Sequence, residues 1–112
     1  MAFPAIQTGG LVTSGNVVAK SASYTAANGD VAIVTTGAGA IVVTLPPVAQ
    51  GGPVTVRKVD SAGAGTVKVV TADSSTVDGI AGATGRVVGA ASTLSGATLV
   101  SDGVGAWYTV AS

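Results

Sequence analysis

The sequence predicts an all-β fold, and three observations carry that prediction. Apolar residues come in short runs dominated by Val, as in Ile41-Val42-Val43-Thr44-Leu45 and Thr66-Val67-Lys68-Val69-Val70. Between the runs, at roughly 8–12-residue spacing, stand pairs that tolerate positive φ, among them Asn28-Gly29, Asp78-Gly79 and Asp102-Gly103. The longest stretches free of Gly and Pro, 16–28 and 66–78, are rich in Val, Ser and Thr, which favour strands and turns over helix. Many short strands with regular turns indicate a sandwich, a barrel or a prism-like module.

Taken in order, the first residues have a different character from the rest. Phe3-Pro4, Gly9-Gly10 and Ser14-Gly15 break up the start of the chain, so residues 1–25 are expected to form an N-terminal arm and residues 26–112 a β-module. Strands are expected at 17–20, 31–36, 40–45, 54–59, 66–71, 76–77, 86–88, 97–101 and 107–110. Alternation supports several of them: Ile41, Val43 and Leu45 share one face, as do Val54 and Val56, and Val67 and Val69. Thr55-Val56-Arg57-Lys58-Val59 and Thr66-Val67-Lys68-Val69-Val70 echo each other across the Ser61–Gly65 loop, which reads as a hairpin with a shared face pattern. A solenoid is not expected, because three repeats of a fixed period are absent.

Composition narrows the partners. The formal net charge is zero and charged residues make up 9% of the chain, so the basic field that displaces counterions from nucleic acid is missing. Adsorption to an acidic membrane surface is unexpected for the same reason. The uncharged segment 31–56 is long enough to span a bilayer, but Gly37, Gly39, Pro46, Pro47, Gly51, Gly52 and Pro53 cut it into strands and turns, so no membrane insertion is expected. The start of the chain lacks the basic and apolar regions of a secretory signal. With no Cys, neither a disulfide scaffold nor a thiolate metal site is available. Aromatic residues are limited to Phe3, Tyr24, Trp107 and Tyr108, and a Val- and Ala-rich core with so few large anchors gains from assembly with further copies.

The catalytic inventory is thin. There is no His, Cys or Glu, which leaves acid–base work to Asp30, Asp60, Asp73, Asp78 and Asp102, most of them in turn-like contexts where Asp bonds its own backbone. Serine has no His partner. Gly37-x-Gly39 lacks the third glycine of a dinucleotide fingerprint, and Asp73-x-x-x-x-Asp78 lacks the ligand count of a calcium loop. The expectation is no catalytic site, no cofactor and no metal. Trp107-Tyr108 could stack on a sugar ring, although neighbours on a strand point to opposite faces.

One ordered set of motifs points further. Thr44-Leu45-Pro46, the basic run Val54-Thr55-Val56-Arg57-Lys58 with Ser61-Ala62-Gly63 after it, Val77-Asp78-Gly79, and Leu99-Val100-Ser101-Asp102-Gly103 followed by Trp107 occur in that order. This order resembles a module of phage head fibres and capsid decoration proteins, a trimeric β-module also found in phage tail fibres. The resemblance covers about the last two thirds of the chain. Val77 stands where that family usually has Ile, and Val104, Gly105 and Ala106 separate Ser-Asp-Gly from Trp107 where two residues are usual.

The resemblance implies a non-enzymatic homotrimer on the capsid exterior of a bacteriophage, assembled in the host cytoplasm and bound to the major capsid protein. With one module and no shaft or coiled coil, decoration is favoured. The alternative is a tail-fibre or receptor-binding module that recognises a host-surface saccharide. Phe3, Pro4, Ile6 and Leu11 are the expected capsid contacts, and Leu45, Val56, Leu99 and Trp107 the expected core and trimer packing residues.

Overall fold

The computed structural model describes residues 16–60 and 64–112. Among them eleven strands form two sheets. The first six are β1 (Asn16–Lys20), β2 (Tyr24–Thr25), β3 (Asp30–Val34), β4 (Ile41–Thr44), β5 (Val54–Lys58) and β6 (Val67–Val70). The last five are β7 (Thr76–Val77), β8 (Ile80–Ala81), β9 (Arg86–Gly89), β10 (Gly96–Ser101) and β11 (Ala106–Ala111). The larger sheet has the order β1-β3-β5-β10-β11-β7-β8, and the smaller β2-β4-β6-β9. The all-β expectation is met. The short strands β2 and β8 were not foreseen.

The first six strands alternate between the sheets and pair in parallel with the strand two places on. The chain therefore winds as a flattened coil of three turns. This corrects two expectations. The echo at 55–59 and 66–70 is no hairpin: β5 lies in the larger sheet and β6 in the smaller. The two resemble each other because both turn alternate valines to the same core. The coil itself was not expected, since its turns have no common length. Asn16 pairs with Asp30 and Val31 with Thr55, while Tyr24 pairs with Val43 and Ile41 with Val67. Without a fixed period, self-similarity is invisible in the sequence.

The second half closes the coil with antiparallel strands. β9 pairs with β6, and β10 with β5. β10 turns back on β11, which meets β7 in parallel. β7 and β8 form a hairpin on Asp78-Gly79, with φ of 50° and 82°, as a type I′ turn requires.

The core lies between the sheets. Val34, Val43, Val54, Val67, Val69 and Val77 are fully buried there with Leu99 and Trp107. Gly52, with φ of 80°, sits against the last two: a Cβ there would lie 2.9 Å from the Leu99 carbonyl oxygen and 3.1 Å from the Trp107 ring. Residues 16–25, grouped with the arm by the sequence, form β1 and β2 and belong to the sheets. Both strands are shielded less than those deeper in the coil.

Candidate functional site

Five carboxylates, one buried lysine and the open face of the larger sheet are the places where chemistry or recognition could reside. Alternation along β5 puts Val54, Val56 and Lys58 on the inward side. Lys58 is fully buried, and its ammonium donates to the carbonyls of Asp60 and Thr93, the latter at 3.1 Å. Asp60 Oδ1 lies 3.7 Å away. The ammonium is thus caged by backbone oxygens where β5 meets the loop before β10. The same alternation already visible at Val54 and Val56 reaches Lys58 when extended by two residues, which is the signal the sequence offered.

Each carboxylate is occupied by nearby donors. Asp60 accepts from the backbone N–H groups of Thr36, at 3.0 Å, and Gly37, at 2.8 Å, and from the Thr36 hydroxyl. The Thr36 N–H contributes most to pulling its pKa down to about 2. Asp73 takes the Ser75 hydroxyl and the N–H groups of Val48 and Ser75, and is lowered chiefly by the Ser75 hydroxyl. Burial works against ionisation of Asp78, but Thr109, through its hydroxyl and N–H, together with the Arg86 guanidinium, holds it below the usual carboxylate range. Asp102 accepts from the N–H groups of Val104, Gly105 and Ala106, led in effect by Gly105, and is lowered too.

Asp30 accepts from the Ala27 N–H at 2.9 Å. It faces Tyr24, whose pKa is pushed up to about 12 by burial first and by the Asp30 charge second. Four of the five carboxyls are therefore held ionised and used as turn braces, an arrangement opposite to that of a general acid with a raised pKa. No group of three or more potential metal-ligating residues occurs among the described residues.

The sequence-predicted residues fall into two sets. Phe3, Pro4, Ile6 and Leu11 lie outside the described residues. Leu45, Val56, Leu99 and Trp107 all lie in the core between the sheets, at 3% exposure or less. Such enclosure makes them packing residues of the protomer core. Trp107 is fully buried whereas Tyr108 is 47% exposed, so the pair forms no two-ring platform for a sugar. The Trp107 indole N–H has no acceptor among the described residues.

What the sequence did not single out is the outer face of the larger sheet. Val31 and Ile33 on β3, Val100 on β10 and Tyr108 on β11 alternate with inward-facing neighbours, and Val110 and Ala111, beyond the register shift between β10 and β11, are both exposed. Thr55 and Thr98 bond hydroxyl to hydroxyl at 3.0 Å near the middle of this face. Beside them a depression of about 190 Å³ is lined by Thr55, Arg57, Thr98 and Ala111. It opens at Gly96, where β10 runs on past the end of β11. No family model matches the chain, and no curated protein or solved structure shows significant similarity to it.

Proposed function

We propose that this chain is a structural virion protein: a homotrimeric capsid decoration protein, without enzymatic activity, that binds the outer surface of a phage capsid. The observation carrying the reading is the place of the resembling motifs in the fold. Thr44-Leu45-Pro46 ends β4 and leads out of the coil's second turn. The basic run forms β5, an interior strand of the larger sheet between β3 and β10. Val77-Asp78-Gly79 makes the β7–β8 hairpin, and Leu99–Gly103 carries β10 into the turn braced by Asp102. These motifs each have a structural task, while Ser61-Ala62-Gly63 lies outside the described residues.

Capsid attachment is assigned to the N-terminal residues, with Phe3, Pro4, Ile6 and Leu11 as the apolar contacts. β1, which follows them, is an edge strand of the larger sheet, so its outer backbone edge is not taken by another described strand. The experiment uses particles of the virus that encodes the chain, stripped of it and mixed with either the full protein or a version lacking residues 2–15. The full protein should coat the shells, and the shortened one should stay folded without attaching. Equal decoration by both would move the capsid contact to the β-module.

A further inference from the structure

We infer that Asn28 is a site of spontaneous covalent modification, where the chain converts its own backbone to isoaspartate, and that opening of the coil's first turn gates the reaction. This stands apart from the capsid reading. The chain has two asparagines: Asn16 precedes Val17, and Asn28 precedes Gly29. Cyclisation needs the main-chain nitrogen after the asparagine to reach Cγ, and a glycine leaves that nitrogen uncrowded where the branched Val17 covers it. Asn28 is exposed, so water reaches it. Asp78-Gly79 and Asp102-Gly103 share the following glycine, but their carboxyls are held ionised, one by Thr109 and Arg86, the other by the N–H groups of Val104, Gly105 and Ala106. An ionised carboxylate has no good leaving group, whereas a carboxamide releases ammonia.

The step balances with water alone. The Gly29 nitrogen gives its proton to solvent and bonds to Asn28 Cγ. The Cγ–Nδ2 bond breaks, and ammonia leaves with a proton taken from water. Water then opens the five-membered imide at either carbonyl. One opening yields aspartate; the other yields isoaspartate, whose main chain runs through Cγ.

The folded structure holds the nucleophile back. Asp30 N–H donates to the Ala27 carbonyl at 3.1 Å and Gly29 has φ of 88°, which makes a type II turn and holds Asn28 at a ψ of about +120°. Ring closure requires the nitrogen to swing from there toward Cγ. The Gly29 N–H is also tied to the Pro53 carbonyl at 3.0 Å, just before β5, and the Gly29 carbonyl accepts from Asn16 N–H at 3.2 Å, where β1 begins its pairing with β3. The nitrogen is therefore freed when this turn of the coil opens. Isoaspartate then adds a carbon to the main chain between Ala27 and Gly29, so these bonds no longer fit together and β1 loses its anchor. Opening permits the reaction, and the product favours opening.

The experiment ages the full chain at mildly alkaline pH and physiological temperature, with and without urea. Peptide mapping by mass spectrometry and labelling with an isoaspartyl methyltransferase then locate the product. Isoaspartate should form at position 28 and not at 78 or 102, about tenfold or more slowly in the folded protein than in urea. Val18→Ala, which weakens the packing of β1, should raise the folded rate by up to about fivefold. Aged protein should show faster hydrogen exchange in β1, and Asn28→Gln, which would need a six-membered ring, should age without that change. Equal rates with and without urea would overturn the gate. No isoaspartate at 28 in the aged protein, or as much at 78 or 102, would overturn the site.

Discussion

The two halves of the molecule are held by different means. The coil of β1 to β6 is built from small side chains, Val and Ala above all, stacked turn on turn through parallel ladders. The antiparallel half carries the one indole of the core and a side-chain clamp that ties three separate segments: Asp78 after β7, Arg86 on β9 and Thr109 on β11. A parallel coil gains area only by adding turns, and here it has three. Among the described residues its terminal turn has neighbours on one side alone, so β1 and β2 stay partly exposed while β5 and β6 are shielded by β10 and β9. The difference teaches that stability is concentrated at the closed end and declines toward β1.

The largest test of that gradient is Trp107→Ala. It removes the largest buried side chain at the closed end and should cost about 3–5 kcal/mol in urea unfolding. A loss below about 1 kcal/mol would mean that the coil carries the fold without its cap. Lys58→Met comes next. The replacement fills similar space but leaves the Asp60 and Thr93 carbonyls without their donor, so a destabilisation of about 1–3 kcal/mol is expected. A more stable variant would show that the ammonium serves some purpose other than holding the loops.

The carboxylate braces set the acid response. Asp60 is held at about 2 in the folded protein, below an ordinary value of 3.8, so the stability it contributes is present above pH 4 and is lost as the pH falls through about 2. Asp73, Asp78 and Asp102 are lowered as well and act in the same direction. Stability should therefore fall from about pH 4 downward, and Asp60→Asn should make that decline shallower. The decline is read from unfolding midpoints at pH 2, 3, 4 and 6. The smallest effect belongs to Val18→Ala on β1, at or below about 1 kcal/mol, because Val18 packs against the core from a partly exposed position. Hydrogen exchange should show the same order, with β1 amides exchanging before those of β5 and β10.

How much of this was legible in the sequence follows from how local each signal is. The inward valines of β4, β5 and β6 were readable because alternation is written within five residues. The turn at Asp78-Gly79 was readable because positive φ demands those residue types. The coil was not, since pairing Val31 with Thr55 and Ile41 with Val67 is long-range, and turns of unequal length leave no period. The site was less legible than the fold. Asp60 was foreseen as a turn residue that bonds its own loop, yet it braces Thr36 and Gly37 on a different turn of the coil. Outward positions such as Val31 and Val100 look, in sequence, like any other valine in a strand.

The unequal turns have a consequence for how such a chain can change. The ladders fix where Asn16 meets Asp30 and where Val31 meets Thr55, but they place no demand on the number of residues between. Doubling a flexible connection costs only about 0.6 kcal/mol of closure entropy. Loop length is therefore close to a free variable under selection, and the fold tolerates grafted peptides at its connections while keeping its strand register. A protein wound in this way can vary its exposed connections without redesigning the strands beneath them.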